Sequence, residues 1–245
     1  RSPKKDALYN QALQTALESA SFYERNFDAF STDWKISMKI QEETGKRIDF
    51  VRDENLSTAA QVQIAEYHDR DHHIIKFNPK HPGHQHLFVH EAMHIIFASR
   101  ARAAGRNKLY TNTNAMRESF IRDNEQTIMK LVQKGYPEEN VGKYITDFYK
   151  GLNMQLFNTS VDLLIEDTIY KEHPKLRPIQ FLSLYSIVKA GVDACTSKKA
   201  RELSPRKHLS NSRVLNALTA RHLESMYGVK MEEDLNCDFD ERKKV

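Results

Sequence analysis

The chain has 245 residues, 40% hydrophobic and 29% charged, the composition of an ordinary globular protein long enough to bury a sizeable core. Its net charge of +4, from 37 basic against 33 acidic residues, is too small and too dispersed to argue for a nucleic-acid-binding surface. Cys195 and Cys237 form neither a disulfide framework nor a paired-cysteine metal knuckle, and no apolar run reaches the length of a membrane span. Free thiols in a reducing, cytoplasmic setting are therefore the expectation, with a single disulfide as the alternative for the thiols and a processed N-terminus ahead of Arg1 as the alternative for the location.

Along the chain, Lys4 to about Phe30 carries apolar residues at helical spacing (Leu8, Ala12, Leu13, Ala16, Leu17, Ala20) and reads as one long amphipathic helix. Ser31, Thr32 and Asp33 offer N-caps for a second helix from Trp34 to Thr44, which Gly45 would end. The period then drops to near two. Arg47–Val51, Gln61–His68 and His72–Asn78 read as strands, the last two forming a hairpin across Asp69, Arg70 and Asp71. After Pro79–Gly83 the pattern turns helical: Gln85–Ala104, Asn114–Lys134, Glu138–Lys150, Leu152–Lys171, Pro178–Ala190 and Asn211–Tyr227. Gly135, Pro137, Gly151, Pro174, Gly191 and Gly228 serve as punctuation, and the charge-dense end from Glu232 to Val245 is expected to fray. The basic clusters at Lys198–Arg201, Arg206–Lys207 and Arg242–Lys244 read as solvated surface. The fold class is α+β, mostly helical, with a small antiparallel sheet just before the helix at Gln85. Residues 1–45, 46–172 and 173–245 are expected to be N-terminal helices, core with a helical insertion, and C-terminal helical extension of one compact unit.

The chemistry is concentrated in HLFVHEAMHIIF, residues His86 to Phe97. His90 and His94 stand one helical turn apart on one face, so both imidazoles can reach a single tetrahedral Zn²⁺. Glu91 lies about 100° around the helix from His90, beside such an ion, where a carboxylate can accept a proton from the attacking water. Because the flanks are apolar, two histidines and a glutamate placed there need partners, and a metal would supply them. A third protein ligand is required. Asn158, Asp162 and Glu166 recur at spacings of four on an otherwise apolar helix, and Glu166 is the expected ligand. Asp162 is the alternate, with whichever carboxylate is left over holding a ligand histidine from behind. Glu125, which starts another apolar helix, is a rival. His68, His72, His73, His81, His84 and His86 crowd the strand ends and the loop before the motif, and are expected to be exposed, with one or two lining the site. A second metal site among them is the alternative. Tyr144, Tyr149, His173 and Tyr185 are candidates for stabilising an oxyanion.

His90, Glu91 and His94, with Glu166 on a later helix, make the chain resemble the gluzincins, zinc metallopeptidases with a His-Glu-x-x-His helix and a downstream glutamate ligand. The strand at His72–Asn78 is similar to that family's edge strand, which pairs with an extended substrate. Among such proteins, the organisation looks most like the small cytosolic regulatory ones, which cut a single partner. The resemblance implies a zincin-like core and a Zn²⁺-dependent endopeptidase acting on a narrow range of protein or peptide substrates, without nucleic-acid or membrane partners. A zincin-fold scaffold with little turnover and a hydrolase of a non-peptide substrate are the alternatives. Glu91 speaks against the scaffold, since a structural zinc needs no base.

Overall fold

The structure, a computed structural model, describes residues 3–27, 30–108 and 111–230, with residues 3–5 and 30–34 described as backbone alone. The expected caps at Ser31–Asp33, Cys237 and the stretch from Glu232 to Val245 fall outside its described side chains. Helices α1 (Pro3–Arg25) and α2 (Phe30–Thr44) precede strands β1 (Arg47–Arg52), β2 (Ala60–Gln63) and β3 (His72–Phe77). Helices α3 (His84–Ala103), α4 (Asn114–Asp123), α5 (Glu125–Gln133), α6 (Glu138–Glu172), α7 (Arg177–Thr196), α8 (Lys198–Leu203) and α9 (Arg206–Tyr227) follow. The fold is α+β and dominated by helix. Among the described residues no helix is long and apolar enough to cross a membrane.

The described chain packs as two compact units, and the division differs from the three consecutive segments expected. One unit combines residues up to Lys108 with Leu164–Ser186; the other combines residues from 111 to Leu163 with the chain from Ile187. Helices α6 and α7 each contribute one end to each unit.

In the first unit the sheet has the order β1-β3-β2, with β3 antiparallel to β2 but parallel to β1. Two expectations are corrected here. The sheet is mixed rather than antiparallel, and β3 is its central strand rather than an edge, because both its hydrogen-bonding sides are occupied. Alternation along β3 buries His73 and Ile75 on one face. Helix α3 packs against α2, β2 and β3, meets β1 through Phe88 on Phe50 with ring centroids 5.4 Å apart, and buries Leu87, Phe88, Val89, Ala92, Met93, Ile95 and Ile96. These side chains point in nearly every direction around the helix. Between its two ends, a narrow stripe of half-buried positions (His90, Glu91, His94, Phe97, Ala98) at helical spacing is left partly open. The unit's core thus fixes the helix and leaves one strip available for chemistry.

The start of α3 is fixed in three ways. Gly83 takes a left-handed conformation (φ 73°, ψ 24°), and a Cβ there would lie 2.6 Å from the Ile179 carbonyl oxygen and 2.8 Å from Ser183 Cβ on α7. Its N–H donates to Glu24 Oε1 at 2.8 Å, which places a carboxylate at the positive end of the helix dipole. His81 Nε2 meets Ser183 Oγ at 3.3 Å, a second tie between this turn and α7.

In the second unit, Phe120, Leu131, Val141, Ile145, Tyr149 and Leu152 form a helical core. The expected single helix over Asn114–Lys134 is broken at Asn124, whose side-chain amide donates to the Phe120 carbonyl at 2.7 Å and competes with the next turn. Conversely, Gly151 does not divide the following segment, and α6 runs unbroken for 35 residues. A glycine inside a helix costs only about 1 kcal/mol relative to alanine, which tertiary packing overrides. Gly191 likewise sits inside α7, where a Cβ would collide with Asn216 Oδ1 of α9.

These two kinds of glycine predict opposite results in urea unfolding. Gly83→Ala should destabilise by about 2 kcal/mol or more, since it combines a left-handed backbone with a clash against a carbonyl. Gly151→Ala, with nothing within 4 Å of the new methyl, should stabilise by about 0.5–1 kcal/mol. Equal effects of the two substitutions would contradict this account of the fold.

Candidate metal centre

The centre is built from α3, the C-terminal part of α6 and the N-terminal part of α7, all in the first unit. Helix α3 carries three histidines at four-residue spacing, His86, His90 and His94, and hence on one side. Their rings follow one another edge to face, with centroids 6.0 Å apart for His86–His90 and 5.0 Å for His90–His94. His86 is fully buried, whereas His90 and His94 emerge into the half-buried stripe beside Glu91.

Glu166 enters from α6 and is buried. Its Oε1 lies 2.6 Å from His90 Nδ1, and its Oε2 lies 2.9 Å from His86 Nε2 and 2.7 Å from Gln180 Nε2 of α7. Gln180 also donates to the backbone carbonyl of Glu166 at 2.9 Å, pinning both ends of the same residue. Burial alone would push the Glu166 carboxyl up. The charge and hydrogen bonds of His86 and His90 more than reverse this and hold it well below the usual carboxylate range. An ionised carboxylate only accepts, so His90 donates from Nδ1, and in the neutral form of that ring Nε2 carries the lone pair. That Nε2 faces His94 Nε2 at 3.2 Å. Two ring nitrogens at such a distance either share one proton or direct their lone pairs at a common cation.

The donor set fits zinc. Two Zn–N bonds of about 2.0–2.1 Å at a tetrahedral angle place the nitrogens about 3.3 Å apart, close to the 3.2 Å between His90 and His94. His86, His90 and Glu166 also have potential ligand atoms within 4.8 Å of one another. Those atoms, however, are already paired at hydrogen-bond distances. Glu166 touches the edge of the His90 ring opposite to the one facing His94, so here it acts on the imidazole from behind.

Of the stripe on α6, Asn158 is exposed, Asp162 half-buried and Glu166 buried, a descent from solvent in successive turns. Asp162 belongs to the α6 segment of the second unit, which ends at Leu163, and precedes Glu166 by four residues. Glu125 is exposed at the start of α5. Tyr149 packs in the second unit's core against Phe120, and Tyr144 is engaged by Ser204 at 2.7 Å. His173 follows the end of α6, and Tyr185 lies on α7.

The histidines preceding the motif are less exposed than expected. Only His68 is exposed; His72, His81 and His84 are half-buried, and His73 and His86 are buried. His73 Nδ1 accepts from the Ala65 N–H at 3.1 Å, which puts its proton on Nε2, 3.3 Å from Thr44 Oγ1. It therefore serves as a neutral clamp between β3, α2 and the short 3-10 turn at Ala65–Tyr67. Two residues of the centre escape a reading of the sequence. His86 falls among the loop histidines although it precedes His90 by four, and Gln180 shares the largely apolar run PIQFLSLYSIV with Ser183 and Ser186.

Comparison of the chain with protein-family models, with curated proteins and with solved structures gave no match. The functional reading accordingly rests on the residues themselves.

Burial lowers the affinity of His73 for a proton below its ordinary value of 6.5, and does the same at His81, His84, His173 and His208. Below that value the unfolded chain binds protons that the folded one refuses. The stability these groups provide is thus complete above pH 6.5 and is lost as the pH falls through the folded values. Urea titrations should show stability dropping from pH 7 to about pH 5, with a shallower drop in His73→Gln. A profile for His73→Gln as steep as that of the parent would refute the neutral clamp.

Proposed function

We propose that the chain is a zinc-dependent peptidase of the zincin type, with the ion held by His90 and His94 and with Glu91 as general base. The observation that carries this reading is the facing pair of Nε2 atoms, one of them set by a buried carboxylate at the far side of its ring. Such an arrangement is what a metal-ligating histidine requires, since the bond at Nδ1 selects the tautomer and raises the basicity of Nε2.

The geometry favours a supporting role for Glu166 over the ligand role expected of it. Glu166, engaged by His86, His90 and Gln180, is proposed to orient His90 rather than to bind the ion. Bound zinc would supply a Lewis acid for the substrate carbonyl and lower the pKa of water. Glu91, adjacent to His90 on the open stripe, would accept the proton of the attacking water as its oxygen bonds to the carbonyl carbon. The same carboxyl would then deliver that proton to the amine nitrogen as the C–N bond breaks. The half-buried setting of Glu91 suits both duties, since partial removal from water strengthens the electrostatics there.

The purified chain should hold about one zinc, by elemental analysis, because three protein ligands with one open position define a catalytic site. His90→Ala and His94→Ala should empty it. Glu91→Gln should keep the metal and lose cleavage of a mixed peptide library by at least about 10³-fold. Zinc content insensitive to both histidine substitutions, or undiminished cleavage by Glu91→Gln, would end this reading.

A further inference from the structure

We infer that His86 and Gln180 are positioning residues that act on His90 through Glu166. The inference rests on the zinc reading above for its functional meaning, though its structural content can be tested without metal. The two oxygens of the Glu166 carboxylate have different partners. Oε2 is claimed by His86 Nε2 at 2.9 Å and by Gln180 Nε2 at 2.7 Å. Oε1 is left to His90 Nδ1 at 2.6 Å. A carboxylate bonded at one oxygen alone could rotate about its terminal torsion, which is broad for glutamate, and offer either oxygen at varied angles. Two donors on Oε2 remove that freedom. The second hydrogen of the Gln180 amide fixes the backbone carbonyl of Glu166, so that α6 cannot slide relative to α7 at this point.

The burial supports the same assignment. His86 and Gln180 are each 0% exposed, and an amide or imidazole removed from water needs its bonds made. Leucine or valine would pack such positions without that demand. Their retention as polar groups is explained by the buried carboxylate that they hold, and the carboxylate in turn is explained by the imidazole that it orients. His86 also occupies the register of a metal-ligating histidine on α3, with His86, His90 and Glu166 forming a group of possible ligands. The hydrogen bonds assign it the other task. Its Nε2 is already spent on Glu166, and its Nδ1 is buried without a partner among the described residues.

The test uses the whole chain and two readouts. Imidazole ¹⁵N spectra report which nitrogen of His90 carries the proton, and chelator competition reports zinc affinity. The parent should show His90 protonated at Nδ1 with or without zinc. Gln180→Leu and His86→Leu should mix the two tautomers and weaken zinc by about 10-fold or more. His86→Gln, which keeps an N–H donor at the Nε2 position, should restore both readouts to within about threefold of the parent, whereas a ligand would not tolerate that change. In a Glu166→Gln background, Gln180→Leu should alter zinc affinity less than about twofold, because its route to His90 has gone. His86→Gln also provides a folded variant should the leucine substitutions unfold the chain.

Unchanged tautomer and affinity in the His86→Leu and Gln180→Leu chains would overturn the inference, as would His86→Gln losing zinc as completely as His94→Ala. A parent that binds no zinc but keeps the Nδ1–H tautomer under Gln180 control would instead sink the peptidase reading alone.

Discussion

One buried carboxylate organises the first unit. Removing an ionised glutamate from water is among the most expensive steps that a fold can take, and it is tolerated only when the charge is paired and its lone pairs are filled. Glu166 meets that condition through donors from two other helices: His86 and His90 on α3, and Gln180 on α7. Its depressed proton affinity is the thermodynamic signature of the pairing, and the same bonds dictate which nitrogen of His90 looks outward. Stability and site geometry therefore depend on a single set of contacts. Truncating one partner would leave the rest as an uncompensated buried charge, a loss of about 3–5 kcal/mol by the measure of other buried pairs.

Such a network demands that α3 neither slide nor rotate. Its apolar side chains are buried on nearly every side, and its first turn is held by Gly83 against α7 and by Glu24 from α1. A displacement of one residue along α3 would rotate the histidines by about 100° and remove His86 and His90 from Glu166 together. Surface ion pairs such as Arg100 with Glu43 add little by comparison, since exposed pairs contribute at most about 1 kcal/mol. The helix thus stays fixed by its core while offering a strip of His90, Glu91 and His94 to solvent.

Much of this was legible in the residues. Helical spacing located nearly all the longer helices, and the motif with its apolar flanks marked α3 as a buried helix. The stripe Asn158, Asp162, Glu166 identified α6 as the source of the carboxylates, because a polar line on an apolar helix must meet either water or partners. What it could not decide was which carboxylate goes deepest, since that depends on the depth at which α6 passes α3. The parallel pairing of β1 with β3 was likewise invisible: strand periodicity identifies faces but not neighbours. Glycine proved an ambiguous marker, ending helices where the backbone turns left-handed and passing unnoticed at Gly151, where nothing opposes a helix. His86 and Gln180 were missed for a related reason. Each looks unremarkable in its own segment, and their meaning comes from a glutamate 80 and 14 residues away, respectively.

The central claim is that Glu166 supports His90 while the ion sits on the other edge of the ring. Diffraction from zinc-loaded crystals, collected on both sides of the zinc absorption edge, tests it most directly. The account predicts one anomalous peak within bonding distance of His90 Nε2 and His94 Nε2, with Glu166 Oε1 still hydrogen-bonded to His90 Nδ1. A peak bonded to Glu166 and His86 instead, with His94 free of the ion, would contradict it.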